Sequence, residues 1–143
     1  MDKREISMAY YGSEQWGGVP LSTGVYKTPD DLYRALLRCW RAETCAPRMR
    51  DQWSPENPTL GQCSITAFIA QDIFGGEVFG IPMKGGNFHC FNVVGACVFD
   101  LTSEQFGDEA LDYSSGQPQS RERHFAKAEK LARYELLKKC LNA

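Results

Sequence analysis

The apolar pattern of the chain changes from a helical period to a strand-like period at the glycine pair Gly75-Gly76. Before this pair, large apolar side chains recur at positions i, i+3, i+4 and i+8, namely Ile65, Phe68, Ile69 and Ile73. This spacing predicts a short, largely buried helix that carries Cys63 in its first turn. After the pair, alternating stretches at 77–83, 87–94 and 97–101 are separated by turn residues. They predict an antiparallel meander of three strands.

The segments on either side of this region carry their own signals. The run from Thr28 to Asp31 predicts a helix start with Thr28 as its N-cap, and this helix is expected to end before Pro47. Residues 1–27 show neither period, so we expect a mostly irregular arm whose aromatic side chains pack on the domain. A polar loop is predicted at 112–119, followed by a last helix over about 120–141. We therefore expect one domain over residues 1–143, with its core at 28–107.

The chain has 143 residues, six cysteines and two histidines. A domain of this length buries roughly two-thirds of its unfolded surface, so it can form a core without disulfides or a metal ion. The N-terminus shows no apolar segment typical of an export signal, so we expect reduced thiols and a cytoplasmic location. Because no Cys-x-x-Cys pair occurs, structural zinc is not favoured, and we expect no metal and no cofactor.

The charge pattern limits the classes of binding partner. Sixteen basic and eighteen acidic residues give a net charge of −2, and no long block of like charge occurs. A nucleic-acid partner is therefore not expected, and no apolar stretch approaches the length of a membrane span. The partner that we expect is a protein, a peptide or a small amide substrate, and the sequence leaves the oligomeric state open.

Cys63 has the position of a candidate nucleophile. The first turn of a helix concentrates unpaired backbone N–H groups, which stabilise a thiolate and lower the pKa of a cysteine there. The same N–H groups can stabilise an oxyanion during attack on a carbonyl, and the side chain of Gln62 is a further candidate donor. The alternative for Cys63 is a buried helix thiol, and the alternative for Gln62 is a hydrogen bond at the helix start.

A cysteine nucleophile needs a base, and His89 lies in the middle of the second predicted strand. If Gly95-Ala96 is a two-residue hairpin loop, Val94 pairs with Cys97. Asp100 then lies on the same face as His89, about 7–8 Å away along the diagonal between backbones and within side-chain reach. An aspartate there can hold the imidazole in the correct tautomer. His89 has the alternative of a buried core histidine, and Asp100 that of capping the following turn.

Motifs around these three residues resemble two known groups of proteins. Gly61-x-Cys63, His89-x-Phe91 and Asp100-x-Thr102 resemble signatures of the transglutaminase-like branch of the papain-like superfamily, although Phe91 stands where tryptophan is common. The stretch from Trp53 to Cys63, the Gly85-Gly86 pair before His89, and Asp100-Leu-Thr-x-x-Gln-Phe106 more closely resemble the YunG family of small bacterial proteins. This resemblance covers about residues 28–107, and residues 54–72 are its most specific part.

The resemblance implies an α+β fold with a papain-like or transglutaminase-like core, in which the helix that begins at Cys63 packs on a small antiparallel sheet. It also implies a Cys63–His89–Asp100 triad, but no substrate. Asn92 is a further candidate for orienting the site, with strand termination as its alternative. Trp53 is a candidate substrate contact, although packing within its own loop is preferred. His124 is expected on the solvated surface.

These observations favour a cysteine-dependent acyl-transfer enzyme that attacks an amide or related carbonyl. Release of the thioester by water would make it a peptidase or deamidase, and release by an amine would make it a transglutaminase. The alternative is a non-catalytic binding or interaction domain in which Cys63 and His89 serve only in packing. Metal binding through the same three side chains is the least favoured interpretation.

Overall fold

The computed structural model describes residues 10–13, 19–107 and 109–142. Within them the helices are α1 (Pro29–Cys39), α2 (Cys63–Phe74), α3 (Arg121–Phe125) and α4 (Ala128–Leu141). The strands are β1 (Glu77–Pro82), β2 (Phe88–Val94), β3 (Cys97–Phe99) and β4 (Gln117–Pro118). Short 3-10 turns occupy Ala42–Thr44, Pro47–Gln52, Ser103–Phe106 and Tyr113–Ser115. The arrangement confirms the predicted α+β class, and none of the helices in these ranges is long and apolar enough to cross a membrane.

The strands form an antiparallel sheet in the order β3-β2-β1-β4. Val94 pairs with Cys97, which confirms the two-residue hairpin loop predicted at Gly95-Ala96. The predicted meander is therefore present, but the loop expected at 112–119 also supplies β4, which pairs with β1. Two residues that end in proline carry no strand signal of their own, because this short edge strand depends on contact with β1.

Helix α2 packs against β2 and forms the centre of the core. Most of its side chains are buried, including Ile65, Phe68 and Ile69, because this helix is apolar around much of its circumference. The buried side chain of Asn92 on β2 donates a hydrogen bond of 2.8 Å to the carbonyl oxygen of Ala67 on α2. This bond sets the position of α2 relative to β2, the strand that also carries His89.

The start of α1 has the predicted N-cap. The hydroxyl of Thr28 accepts a hydrogen bond from the backbone N–H of Asp31, and the carboxylate of Asp31 accepts one from the N–H of Thr28. Pro29 occupies the first helical position, where its missing N–H is not needed. The helix ends at Cys39, ahead of the limit set by Pro47.

The predicted C-terminal helix at 120–141 is divided into α3 and α4 by an extended backbone at Lys127. Across this break Phe125 packs on Phe68 and Tyr134, with ring centroids 5.2 and 4.6 Å apart. The break also changes which side chains of α4 face the core. Leu131 is 37% exposed, whereas Arg133 is buried and donates to the carbonyl oxygen of Thr44.

The expectation of reduced thiols is wrong for one pair of cysteines. Cys39, the last residue of α1, forms a disulfide with Cys140 near the end of α4, across 101 residues of sequence and a Cα separation of 5.8 Å. No sequence spacing could indicate this pair, because the two residues meet only after both helices have packed in the core. Cys45, Cys63, Cys90 and Cys97 are free thiols.

The described parts of the N-terminal arm, residues 10–13 and 19–27, contain no helix. Tyr11 forms an isolated antiparallel β-bridge with Asp100. Tyr10 is 1% exposed and packs on the ring of Tyr33, as expected for an arm whose aromatic side chains contact the domain. The carbonyl of Tyr11 accepts a hydrogen bond from the N–H of Asp100. Trp16 lies outside the described residues.

Candidate active site

The loop before α2 presents Cys63 at the first position of the helix. Gly61 has a φ of +71°, and a Cβ there would lie 2.4 Å from the sulfur of Cys45. Only glycine suits this backbone, which explains the glycine two residues before the cysteine. In the described chain no side chain caps the start of α2. The first-turn N–H groups are therefore left to stabilise a negative charge at Cys63.

His89 and Asp100 form a buried pair. They are 2% and 1% exposed, and Nε2 of His89 lies 2.6 Å from Oδ2 of Asp100. The hairpin register that begins at Val94 and Cys97 places the two side chains on one face, as the sequence predicted. With Nε2 engaged by the carboxylate, Nδ1 is the ring nitrogen available to Cys63. The ring of Phe106 packs edge-on against His89 at 4.7 Å.

The carboxylate of Asp100 has other hydrogen-bond donors besides His89. Oδ1 accepts bonds from the backbone N–H and the hydroxyl of Thr102, at 3.2 and 3.3 Å. Oδ2 also accepts a bond of 2.8 Å from the hydroxyl of Tyr113. Burial and the neighbouring carboxylate raise the pKa of Tyr113, so its hydroxyl remains a donor. Sequence reasoning missed Tyr113, because this residue lies in a polar loop whose path depends on tertiary contacts.

The electrostatics of this cluster favour a thiolate and an imidazolium. A hydrogen bond from the Cys90 thiol lowers the pKa of Cys63 well below its usual value, against the effect of burial, and His89 lowers it further. Burial opposes the charge on His89, but Asp100 and then Cys63 raise the pKa of His89 to about 10. The hydrogen bond to Cys63, together with burial, raises the pKa of Cys90, which therefore remains a thiol donor.

Cys90 on β2 is 1% exposed and faces α2, and its interaction with Cys63 raises its pKa. The interaction could have been suspected from the strand pattern, because Cys90 lies on the face of β2 that the helix covers. The distance between the two sulfurs, however, depends on how α2 sits on the sheet.

The other predicted site residues lie away from the cleft or serve a structural role. Gln62 is fully buried, and its Nε2 donates a hydrogen bond of 3.1 Å to the carbonyl of Arg41, so its side chain does not reach the cleft as an oxyanion donor. Trp53 uses its indole N–H to bond the carbonyl of Pro58 and closes its own loop. Asn92 bonds the carbonyl of Ala67 and so holds α2 against β2.

A cavity of about 670 Å³ opens beside Cys63 and His89. Its walls come from residues 46–49, the turn after β1, the 3-10 turn at Ser103–Phe106, and the α3–α4 segment. His124, expected on the solvated surface, instead lines this cavity and packs edge-on against Phe68 at 5.2 Å. The expectation failed because the break after α3 turns His124 towards α2.

No arrangement of three or more histidine, cysteine or acidic side chains suited to a metal ion occurs in the described ranges. The carboxylate of Asp100 is already engaged by His89, Thr102 and Tyr113. The imidazole of His89 therefore lies between the Asp100 carboxylate and an open cavity that the Cys63 thiol also lines.

The model of the family described as YunG protein matches residues 28–143. The chain belongs to the YunG family. The family match extends beyond the 28–107 region of motif resemblance and includes the segment that carries Tyr113, His124 and α4. A relative from Bacillus subtilis (strain 168), described as "Uncharacterized protein YunG", is 39% identical over 74 residues. That alignment covers 52% of this chain and 62% of the relative. No solved structure matches.

Proposed function

We propose that the protein is a cysteine-dependent acyl-transfer enzyme that uses Cys63, His89 and Asp100 on an amide or related carbonyl. The observation that carries the proposal is the position of His89, which is hydrogen-bonded to the buried Asp100 and lines the same cavity as Cys63, with which it interacts electrostatically. A structural histidine in the core needs one satisfied hydrogen bond, but not a thiolate partner at the mouth of a cavity. A papain-like or transglutaminase-like core is part of the same proposal.

In the proposed reaction, the Cys63 thiolate attacks the carbonyl carbon and forms a carbon–sulfur bond. The oxyanion that develops accepts hydrogen bonds from backbone N–H groups in the first turn of α2. The His89 imidazolium then gives its proton to the leaving nitrogen as the carbon–nitrogen bond breaks, which leaves a thioester. A water or an amine next attacks the thioester, His89 takes its proton, and the thiolate is regenerated.

The roles of the neighbouring residues follow from this sequence of steps. Asp100 keeps His89 in the tautomer and orientation that direct Nδ1 towards the sulfur. Cys90 is a positioning residue in this proposal, because it is buried and lowers the pKa of Cys63. The open cavity leaves room for either water or an amine acceptor, so hydrolysis and transamidation are both compatible with the proposal.

The first experiment measures alkylation of Cys63 by iodoacetamide at pH 6, followed by peptide mapping. We expect rapid, selective modification of Cys63, with the partly exposed Cys97 as an internal control outside the cleft. In His89→Ala the thiolate loses its imidazolium partner. Because Cys90 still lowers the pKa of Cys63 in this variant, that pKa should rise only part of the way to its ordinary value, and the rate at pH 6 should fall roughly tenfold. Slow, equal modification of all accessible thiols would contradict the proposal and favour a binding domain.

The pH dependence separates the ion pair from an ordinary thiol. Because the pKa of Cys63 is lowered, the alkylation rate should change little as the pH falls from 8 to 6. His89 keeps its proton up to about pH 10, so turnover that needs an imidazolium donor should decline above that pH. Amide, ester and glutamine-donor probes would measure turnover, with Cys63→Ser as the inactive control. A tenfold loss of alkylation for each pH unit below 8 would exclude the ion pair.

A further inference from the structure

The cavity beside Cys63 has a strongly positive lining, although the chain as a whole has a net charge of −2. The charged side chains among the described residues that line it are Arg48, Lys84, Lys127, Lys130, Arg133 and Glu129. The carboxylate of Glu129 is already engaged by Arg133, at 2.8 and 3.3 Å. The thiolate of Cys63 is likewise matched by the imidazolium of His89. The remaining positive charge of the cavity therefore has no partner of opposite sign in the described chain.

Lys130 is the best-oriented of these cations. Its ammonium donates a hydrogen bond of 2.8 Å to Nδ1 of His124, while Nε2 of His124 lies 2.8 Å from Oε1 of Gln119. An ammonium has only donors, so Nδ1 must be the acceptor and Nε2 must carry the proton. The neutral imidazole thus accepts a hydrogen bond from one N–H of Lys130, and the other two N–H groups of this ammonium remain for a ligand. Burial and then Lys130 lower the pKa of His124 to about 4, so it stays neutral at physiological pH.

Two further features place positive potential at the same wall of the cavity. Lys127 stands at the N-terminus of α4, where the helix dipole adds to its charge, and it also lines the cavity. Burial, the nearby charge of Lys127 and that of Arg133 lower the pKa of Lys130, whereas Cys63 and Cys90 raise it. Lys130 and Cys63 line the same cavity. An anion bound between Lys127 and Lys130 would relieve the repulsion between them.

We propose that Lys127 and Lys130, held in place by His124, form an anion subsite that selects acyl donors with a carboxylate close to the scissile carbonyl. This inference rests on the proposed function, because it names the substrate class of the same site. Acidic peptides belong to this class. The subsite acts on binding of the donor, and Lys127 and Lys130 are specificity residues with no proton to transfer in the reaction.

The test compares two alkylating agents of nearly equal size that differ in charge, iodoacetate and iodoacetamide. In both, the Cys63 thiolate attacks the methylene carbon, the carbon–sulfur bond forms, and iodide leaves. The measured quantity is the ratio of the two second-order rate constants at Cys63, at pH 7 and low ionic strength. We expect the ratio to fall about fivefold in Lys127→Gln/Lys130→Gln, with iodoacetamide nearly unaffected. Raising the salt concentration should lower the ratio of the wild-type protein.

Matched variants separate the subsite from general charge and folding effects. Lys139→Gln removes an exposed cation of the same helix outside the cavity and should leave the ratio unchanged. Lys130→Arg keeps the charge and should retain most of the preference for iodoacetate. An equal ratio in the wild-type and double-variant proteins would overturn the subsite, as would an equal loss of both rates. Slow, unselective alkylation by neutral iodoacetamide would instead overturn the proposed function, and the subsite with it.

Discussion

Helices α1 and α2 each carry a cysteine at one end, but at opposite ends of the helix dipole. Cys39 is the last residue of α1, near the negative end, and it is joined to Cys140 in a disulfide. Cys63 is the first residue of α2, near the positive end, and it remains a free thiol. A thiolate is disfavoured at the first position and favoured at the second. The same residue type is therefore cross-linked at the end of one helix and free at the start of the other, where we propose that it is the nucleophile.

The starts of α1 and α2 also differ in how their first backbone N–H groups are bonded. The start of α1 is closed by the reciprocal hydrogen bonds of Thr28 and Asp31. The start of α2 has no side-chain cap, and Gln62, which stands at the N-cap position, directs its amide to Arg41 instead. Capping α2 with a carboxylate would stabilise the helix but would place a negative charge beside Cys63. An uncapped start keeps the N–H groups available for the thiolate and for an oxyanion.

The largest expected effect comes from removing the cross-link at the end of α1. Cys39→Ser/Cys140→Ser should lower the free energy of unfolding by about 4–5 kcal/mol, because the disulfide closes a loop of roughly 100 residues in the unfolded chain. Urea denaturation measures this loss, and reduction of the wild-type protein should reproduce it. Alkylation of Cys63 should keep its wild-type rate while the protein is folded. A parallel loss of reactivity would show that the two helix ends are not independent.

The second-largest effect is expected for Asp100, which holds His89 beside the uncapped start of α2. Asp100→Ala leaves His89, Thr102 and Tyr113 without their shared buried acceptor, which should cost about 3–4 kcal/mol in unfolding experiments. It should also slow alkylation of Cys63 at pH 6, because His89 would no longer hold its proton as firmly. The exposed Asp51→Ala serves as the control for loss of a carboxylate. Unchanged stability and reactivity in Asp100→Ala would exclude Asp100 from the network.

Tyr113→Phe should have a smaller effect on the same network. It removes one donor to the Asp100 carboxylate but keeps the ring that packs on Tyr11 and Phe91. A hydrogen bond to a charged group contributes roughly 1.5–2 kcal/mol, so the urea midpoint should fall accordingly. Tyr11→Phe, which changes a 41% exposed side chain, is the matched control. If both variants have the same midpoint, the Tyr113 hydroxyl does not stabilise Asp100.

The smallest expected effect is at the capped start of α1. Thr28→Ala removes the hydroxyl that accepts from Asp31 and should destabilise the protein by about 1 kcal/mol. The alkylation rate of Cys63 should not change, since the cap acts only on α1. Thr23→Ala, at an exposed position outside the helix, should be neutral in the same denaturation experiment. A change in Cys63 reactivity in Thr28→Ala would contradict the separation between the two helices.

Much of the candidate site could be predicted because its signals are local. The period change at Gly75-Gly76 predicted α2 with Cys63 at its start. The Gly95-Ala96 turn predicted the register that places His89 and Asp100 on one face. Each of these depends on neighbouring residues and on fixed helix or strand geometry. The errors concern long-range contacts. Gln62 turned to Arg41, and His124 turned into the cavity, because of packing partners far away in the sequence.

The sequence by itself determined the element that carries Cys63, the strand face of His89 and Asp100, and the capped start of α1. Only the tertiary structure decided that Cys39 meets Cys140, that Tyr113 reaches Asp100, and that Lys130 lines the same cavity as Cys63. The physical reason is the range of the forces. Backbone geometry and capping act within a few residues, whereas the charge of a cleft and the pairing of thiols depend on which surfaces the hydrophobic core brings together.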